Sequence, residues 1–338
     1  MRRRSLIGGA LAAPMISRLA WADAPEREHT TVAMGTFMMG FLPLVLADTL
    51  GLFKQQGVNV AMQTFSTGGS ASLQALLGGS VDTVVASYDH TIQMQAQHKE
   101  IQAVALLNPL PGMVLCVRKD LADKVKTVTD FKGLKLGVTV PGAAGDFLVK
   151  YMLKNHGMQP TDVSFIGTGS GASCIAAVEK KQVDLVLNYD PAITILLQRD
   201  LVVPMIDTRT EDGTRAAYGG DYPFLCLYSM RRFIDAYPVT IQRMVSALVQ
   251  GLHYIGSHSS AQIADALPQT YLLGDKKLFI DIVDHSRQSF SADGRFDPKA
   301  LETPLRVLSA FDERIASAKI DLSQTYTNRF VDSAQHSG

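Results

Sequence analysis

The sequence predicts an α/β protein with two doubly wound lobes, in which strands and helices alternate and a cleft separates the lobes. Strand-like and helix-like segments alternate from residue 31 onward, which is typical of a mainly parallel sheet covered by helices on both faces. The pattern of residues 31–87 recurs over 135–188, so the unit is duplicated. The 338 residues, 46% hydrophobic and 19% charged, are enough for two globular domains.

The first 22 residues are predicted to be a secretory signal rather than part of the fold. Three arginines at positions 2–4 precede an apolar stretch, and the sequence A-W-A ending at Ala22 fits a cleavage site. The run RRRSLI also resembles a twin-arginine signal, so two export routes stay open. A membrane anchor is the alternative, but Arg18 interrupts the apolar stretch and no later run of about 18 apolar residues exists. We therefore expect a periplasmic protein.

The first copy of the repeat is expected to fold as strand, helix, strand, helix, strand. Short apolar runs predict strands, and apolar residues at helical spacing, ended by glycines, predict helices. The strands are expected at 31–37, 58–65 and 81–87, and the helices at 41–56 and 70–77.

The second copy matches the first segment by segment. FSTGGSASLQALLGGSVDTVVASYD (65–89) aligns with FIGTGSGASCIAAVEKKQVDLVLNYD (165–190), and LFKQQGV (52–58) aligns with MLKNHGM (152–158). Both long segments contain a phenylalanine, a turn of small residues, a helix opened by AS, the pair VD, an apolar strand and the pair YD. Each half is therefore expected to be a small doubly wound sheet.

The turn GTGSGAS (167–173) also fits a dinucleotide-binding pattern, G-x-G-x-x-A, through Gly167, Gly169 and Ala172. That fingerprint usually occupies the first strand-to-helix turn of its domain. Here the turn follows the second strand of the repeat, and a similar turn occurs in the other copy. We therefore expect no nicotinamide site and no other cofactor.

The loops that follow the strands are expected to face the cleft between the lobes, because ligands of open α/β sheets bind beyond the carboxyl ends of the strands. These loops cover 36–41, 66–70, 87–90, 140–146, 167–173 and 188–191. Several of them open helices with Gly, Ser or Thr. The free N–H groups of two opposing helix starts can hold an anionic group without an arginine. The alternative is that Ser70 and Ser170 only cap their own helices.

The candidate ligand-binding residues come from these loops and from one crossing segment. They are Met39, Phe41, Ser66, Gly68, Gly69, Ser70, Tyr88, Asp89, His90, Gly142, Ala143, Ala144, Asn188, Tyr189, Asp190 and Tyr222. The tyrosines offer an apolar ring with a polar tip, whereas Phe41 and Phe224 fit core packing equally well. Asp89 and Asp190 argue against a simple inorganic anion and leave room for an amine or hydroxyl. Asp190 also fits a turn before proline, and His90 a surface loop.

The three cysteines, Cys116, Cys174 and Cys226, are an odd number for a secreted protein. MVLCVRK and FLCLYSM are both strand-like, which leaves a Cys116–Cys226 disulfide open, but we expect three buried thiols. The eight histidines are scattered and no H-E-x-x-H motif occurs, so no metal site is expected. The formal net charge of zero gives no reason to expect a nucleic-acid partner.

Five segments, in order, resemble the solute-binding proteins of ABC importers, in the nitrate/sulfonate/taurine group that also includes thiamine-precursor binders. They are LADTLGLFKQQGVNV, FSTGGSASLQALLGGSVD, TVTDFKGLKLGVTVPGAA, VEKKQVDLVLNYDP and RRFIDAYPVTIQRMVSAL. The resemblance covers about residues 31–255. The chain departs from it at Tyr189, where many relatives have tryptophan, and at SYDH, where many have a proline.

The resemblance implies the type II periplasmic-binding-protein fold, in which the chain crosses twice between two lobes, here near 111–114 and 222–227. Amphipathic segments after residue 238 predict C-terminal helices. The expected bounds are 30–112 with 230–322 for lobe I, 113–229 for lobe II and 323–338 for a loose polar tail.

The resemblance also implies a function. The two lobes would close on a small organic solute, such as a sulfonate, carboxylate or nitrogen-containing metabolite, and a monomer would deliver it to an ABC permease and its ATPase. No catalytic residue is expected. One alternative is an enzyme on the same fold, similar to the yeast thiamine-pyrimidine synthases, although their cysteine-rich motif is absent. The other alternative is a ligand-sensing domain of a receptor.

Overall fold

The structure is a computed structural model that describes residues 24–66, 68–272 and 274–335. The predicted secretory signal lies outside the described residues. None of the helices within these three ranges combines the length and the apolar character that a membrane span requires.

The described residues form two five-stranded sheets covered by helices. The strands are β1 His29–Gly35, β2 Asn59–Phe65, β3 Thr83–Ser87, β4 Ile101–Leu106, β5 Met113–Arg118, β6 Lys135–Val138, β7 Ser164–Gly167, β8 Leu185–Tyr189, β9 Val202–Asp207 and β10 Leu225–Met230. The helices are α1 Leu42–Thr49, α2 Leu52–Gln55, α3 Gly69–Leu77, α4 Asp89–Gln95, α5 Ala144–Asn155, α6 Ala172–Glu179, α7 Ala192–Gln198, α8 Glu211–Tyr218, α9 Arg231–Ala236, α10 Pro238–Ser257, α11 Ser260–Asp265, α12 Lys276–Ser286, α13 Glu302–Ser309, α14 Glu313–Ser317 and α15 Arg329–Gln335. Short 3-10 helices cover Met39–Phe41, Lys119–Leu121, Val128–Phe131, Pro160–Asp162, Gln269–Tyr271, Arg287–Ser289 and Leu322–Gln324.

The two sheets have the same topology, which is the structural form of the sequence repeat. The first has the order β2-β1-β3-β10-β4 and the second β7-β6-β8-β5-β9. Strand β10 is antiparallel to β3 and β4, and β5 is antiparallel to β8 and β9. In each sheet the remaining strands are parallel. We call the half built on the first sheet lobe I and the half built on the second sheet lobe II.

The chain passes between the lobes twice, through residues 107–112 and 208–224. The first crossing is a short irregular connection between β4 and β5. The second is longer than the sequence indicated because it contains α8 before the chain enters lobe I as β10.

The repeated pair VD has the same role in both lobes. The carboxylate of Asp82 accepts a hydrogen bond from the backbone N–H of Thr31 at 2.9 Å, and that of Asp184 accepts one from the N–H of Lys135 at 3.0 Å. Each aspartate therefore fixes the start of a neighbouring strand, β1 or β6. This shared contact explains why the Val-Asp pair occurs at the same position in both copies of the repeat.

Strand β3 lies inside the first sheet and all of its residues are buried, because helices pack on both sides of a mainly parallel sheet. Strand β4 lies at one edge of that sheet but is also fully buried, and the segment around Tyr326 pairs with it. The edge strands β2 and β7 contain only half-buried and exposed residues.

The expectation of a loose tail from residue 323 is wrong for the described part, which ends at residue 335. Helix α15 packs on α10 and buries Phe330 and Val331. Ahead of it, Tyr326 forms a bridge with Ala103 of β4. The segment is polar overall, but its few apolar residues lie on one face, which is enough to hold a short helix against a core.

The three cysteines are free and buried, as preferred from the sequence. Cys116 lies in β5 of lobe II and Cys226 in β10 of lobe I, so the alternative disulfide between them does not form. Burial raises the pKa of the Cys116 thiol to about 12 and that of Cys174 to about 11. These thiols behave as small hydrophobic side chains.

Candidate functional site

A cavity that is partly open to solvent lies between the two lobes. All six loops that the sequence placed at the cleft contribute to its walls. Lobe I contributes Gly35, Thr36, Met38, Phe41, Ser66, Gly68, Gly69, Ser70, Ala86, Ser87, His90, Phe224 and Leu225, and lobe II contributes Thr139, Val140, Ala143, Ala144, Gly169, Ser170 and Tyr189.

Nine of the sixteen candidate residues line this cavity: Phe41, Ser66, Gly68, Gly69, Ser70, His90, Ala143, Ala144 and Tyr189. The other seven do not line it: Met39, Tyr88, Asp89, Gly142, Asn188, Asp190 and Tyr222. Phe224, for which a ring face toward the solute and core packing were both open, also lines the cavity, and so does Leu225, which was not a candidate. Both lie within the predicted second crossing. Their position next to the last repeated strand of lobe I was the available signal.

Tyr88 and Tyr189 occupy matching positions in the repeat but have different surroundings. Tyr88 is fully buried in the core of lobe I, where its hydroxyl bonds Thr325 and its ring packs near Phe296. The C-terminal segment around Thr325 covers Tyr88, so Tyr88 does not line the cavity. Tyr189 is half-buried and lines the cavity, with its ring stacked on Phe224 at a centroid distance of 5.9 Å.

Asp89 is a fully buried carboxylate directly behind the cavity wall. One oxygen accepts a hydrogen bond from the hydroxyl of Tyr222 at 2.6 Å, and the other accepts one from the hydroxyl of Ser87 at 2.8 Å. Burial raises the pKa of Asp89 to about 6, and the two hydrogen bonds limit the rise. Asp89 and Tyr222 thus support the wall rather than form it.

His90 lines the cavity as a neutral imidazole. Its Nδ1 atom lies 2.8 Å from the hydroxyl oxygen of Tyr228, within hydrogen-bond distance. Burial lowers the pKa of His90 to about 4, because the ring has lost the water that would stabilise its cation. At neutral pH this side chain can give or take one hydrogen bond but brings no charge.

Helices α3, α5 and α6 begin at the cavity, and no side chain of the described residues caps them. Their N-cap residues are Gly68, Ala143 and Gly171. The capping roles considered for Ser70 and Ser170 are therefore absent; Ser70 lies inside the first turn of α3. Gly68 and Gly171 have φ angles of 81° and 70°, which side chains rarely adopt. The first-turn N–H groups remain available to a polar ligand.

Asp190 and Asn188 fold the lobe II wall. Asp190 accepts hydrogen bonds from the N–H and hydroxyl of Thr194 and forms an ion pair with Arg209 at 3.1 Å. Asn188 accepts from the N–H of Tyr189 and donates to the carbonyl of Gly169 at 2.8 Å. Both side chains are therefore committed within the protein and orient the turn that carries Tyr189.

Met39 and Gly142 contribute backbone contacts. The N–H of Met39 donates to the carbonyl of Asp190 at 3.3 Å, a hydrogen bond between the lobes beside the cavity. The N–H of Gly142 donates to the carboxylate of Asp146 at 2.8 Å and holds the loop before α5.

The cavity is polar without being strongly charged. Its lining contains serines, threonines, glycines and three aromatic rings, but no Lys, Arg, Asp or Glu among the described residues. Over the same part of the chain, no group of His, Cys, Asp and Glu is arranged to hold a metal ion. Recognition at this site would depend on hydrogen bonds and ring contacts.

A family model described as NMT1/THI5 like matches residues 39–261. The chain belongs to the NMT1/THI5-like family. The family resemblance predicted from the sequence is thereby confirmed. The match covers most of lobe I and the whole of lobe II. It includes all residues that line the cavity except Gly35, Thr36 and Met38.

Solved structures of similar proteins confirm the two-lobe α/β fold with C-terminal helices. A protein of Bordetella bronchiseptica RB50 is 34% identical, with 93% of this chain and 99% of that chain covered and a TM-score of 0.88. The alkanesulfonate-binding protein SsuA from Xanthomonas axonopodis pv. citri, bound to MOPS, is 19% identical, with coverages of 90% and 100% and a TM-score of 0.72.

Curated relatives of this NMT1/THI5-like protein include two kinds of molecule. YtlA of Bacillus subtilis (strain 168), named as a candidate binding protein, is 22% identical over 311 residues, which is 89% of this chain and 88% of YtlA. The 4-amino-5-hydroxymethyl-2-methylpyrimidine phosphate synthase of Aspergillus parasiticus is 20% identical over 305 residues, with coverages of 86% and 83%. Family membership alone therefore does not separate binding from catalysis.

Proposed function

We propose that the protein is an extracytoplasmic solute-binding protein that captures a small organic solute between its lobes and delivers it to an ABC importer. One observation carries this proposal: loops from both sheets, each at the carboxyl end of a strand, line one cavity. A ligand that contacts both walls favours the closed arrangement of the lobes over the open one. The importer would then recognise the closed monomer in the periplasm.

The cavity supports a solute that combines an apolar or ring-shaped body with polar groups. Phe41, Tyr189 and Phe224 supply ring faces, and the starts of α3, α5 and α6 supply N–H donors. A sulfonate, a carboxylate or a nitrogen-containing metabolite fits this description, and one protein of similar fold is named for binding alkanesulfonates.

A catalytic role is the second candidate, because some relatives are synthases. The cavity lining offers little support for it: over the described ranges it contains no cysteine or carboxylate, and His90 is neutral. The three thiols are buried, with pKa values raised by burial, so they are poor nucleophiles. Binding without conversion accounts for these residues more simply.

A ligand screen tests the proposal. The chain without its first 22 residues would be melted in the presence of single metabolites, and stabilising compounds would be titrated by calorimetry. A true ligand at 100 times its dissociation constant stabilises by about 2.7 kcal/mol. We expect one solute per chain, recovered unchanged by mass spectrometry after prolonged incubation. The proposal would be contradicted if the protein converted the solute, or if two solute molecules bound per chain at positions outside the cleft.

A further inference from the structure

Ser87 is the last residue of β3 and one of the residues that line the cavity. Its hydroxyl donates to the carboxylate of Asp89 at 2.8 Å. A serine hydroxyl has one proton and two acceptor lone pairs, and an ionised carboxylate can only accept. The proton of Ser87 is therefore committed to the protein interior, and its oxygen can only accept further hydrogen bonds.

The surroundings of Asp89 keep this arrangement in place. The titratable groups that face it are the phenols of Tyr222, Tyr218 and Tyr189 and the thiol of Cys226. The hydroxyl of Tyr222 bonds the second carboxylate oxygen at 2.6 Å. No lysine or arginine pairs with this carboxylate among the described residues. The carboxylate therefore depends on its two hydroxyl donors, one of which is Ser87.

On the basis of the proposed function, we propose that Ser87 selects solutes that bring an N–H or O–H donor to its hydroxyl, and that Asp89 fixes this preference through Ser87 as a positioning residue. A solute without such a donor leaves the Ser87 oxygen with an unused lone pair in a closed, dehydrated cleft. An unsatisfied buried acceptor should lower the affinity about fivefold or more.

Protonation of Asp89 would relax the preference. Its pKa is raised to about 6 by burial, so a neutral carboxyl becomes populated in mildly acidic solution. A neutral carboxyl can donate its own proton to Ser87, and the serine hydroxyl is then free to turn its proton toward the solute. Selection for donor-bearing solutes should therefore weaken as the pH falls through about 6.

Matched pairs of solutes test this inference by calorimetry. Each pair differs by one donor group: 2-hydroxyethanesulfonate with ethanesulfonate, 4-aminopyrimidine with pyrimidine, and 4-hydroxybenzoate with benzoate. At about pH 7.5 we expect the donor-bearing member of a binding pair to bind at least about fivefold more tightly. Ser87→Ala should reduce that ratio to below about threefold. Thr91→Ala is the matched control: it removes another buried hydroxyl of this region, which bonds the carbonyl of Tyr88 away from the cavity.

The pH dependence of the affinity ratio, measured on the wild-type chain, provides a second test that needs no variant. If Asp89 had only a structural role, this ratio would not change with pH. The affinity ratio of a binding pair that keeps its charge over this range, such as 4-hydroxybenzoate and benzoate or the two sulfonates, should fall between about pH 7.5 and pH 5. Equal affinities within the pair at pH 7.5, a ratio that survives Ser87→Ala, or a ratio independent of pH would overturn the inference. If no member of any pair binds, the proposed function fails for these three solute classes and the inference falls with it.

Discussion

Arg306 in α13 donates a hydrogen bond to the hydroxyl of Tyr151 in α5 at 2.7 Å. Helix α13 packs on α4 of lobe I, whereas α5 belongs to lobe II, so this contact joins the lobes. Arg306 also donates to the carbonyl of Tyr218 at 2.9 Å, at the end of the helix in the second crossing. Tyr151 lies about 10 Å along α5 from Ala144 at the cavity wall. The lobes are therefore held together at a point away from the solute.

Arg306→Met should weaken solute binding without touching the solute. The variant loses the hydrogen bonds of a partly exposed arginine, which should destabilise the closed arrangement of the lobes by about 1 kcal/mol. Because solute binding favours that arrangement, we expect about a fivefold rise in the dissociation constant of the solute. Calorimetry with a solute from the screen measures it. Arg314→Met is the control, because Arg314 pairs with Asp312 next to it in sequence and joins no lobes. Equal affinities of Arg306→Met and the wild type would show that this contact does not affect closure.

Tyr189→Ala and Tyr88→Phe should have opposite consequences. Tyr189 lines the cavity, so its loss should cost about 1–3 kcal/mol of binding free energy with little change in melting temperature. Tyr88→Phe removes a buried hydroxyl that bonds Thr325, which should cost about 1 kcal/mol of stability and leave affinity unchanged. A binding defect in Tyr88→Phe, or none in Tyr189→Ala, would reverse these assignments.

Asp89 and His90 should make opposing contributions to stability in acid. The pKa of Asp89 is raised from 3.8 to about 6 in the folded chain, so its contribution is present below about pH 4 and is lost as the pH rises through 6. The pKa of His90 is lowered from 6.5 to about 4, so its contribution is present above pH 6.5 and is lost as the pH falls toward 4. Each shift corresponds to about 3 kcal/mol, and the two nearly cancel between pH 4 and 6.

Single substitutions should separate these two contributions. Relative to the wild type, Asp89→Asn should lose about 3 kcal/mol of stability as the pH falls from 6.5 to 4, because only His90 remains. His90→Gln should lose a similar amount as the pH rises from 4 to 6, because only Asp89 remains. Urea unfolding at several pH values gives the free energies. Curves that run parallel to the wild type would show that these groups do not titrate as their burial indicates.

Arg209→Met should destabilise lobe II. The Arg209 side chain is 15% exposed and pairs with Asp190, which is 2% exposed, and with Asp207. Removing the cation leaves a buried carboxylate unpaired, which costs about 3 kcal/mol.

The matched control is Arg199→Met, which breaks an exposed ion pair with Glu179 in the same lobe. Its cost should be within about 0.5 kcal/mol. Urea unfolding compares the two variants. A similar stability of both would indicate that the pair of Arg209 and Asp190 is no stronger than a surface pair.

The repeat made the fold and the location of the cavity predictable. Matching positions in two copies fix the same strand order, and the carboxyl ends of the strands then define the cavity walls. The repeat could not predict which residues of a loop face the cavity. Tyr88 and Tyr189 match in sequence, but only Tyr88 is covered by the segment around Thr325. That segment is far away in the chain, so local pattern gives no information about it.

The remaining differences have the same origin. Phe224 reaches the cavity because the second crossing ends beside β3, where its carbonyl accepts a hydrogen bond from the N–H of Tyr88. Helix α15 is held by burial against α10 rather than by its own mostly polar sequence. Both features depend on tertiary contacts between distant segments, which the period of apolar residues does not encode.

The distance between the lobes, measured with and without solute, tests the account most directly. Spin labels would be attached to Lys54→Cys in α2 and to Lys180→Cys next to α6, two exposed positions on opposite lobes. The three native thiols are buried, so they should not take up the label. We predict that a stabilising solute shifts the distance distribution by pulsed electron paramagnetic resonance to one shorter, narrower population. The same distribution at saturating solute would contradict the claim that the lobes close on it.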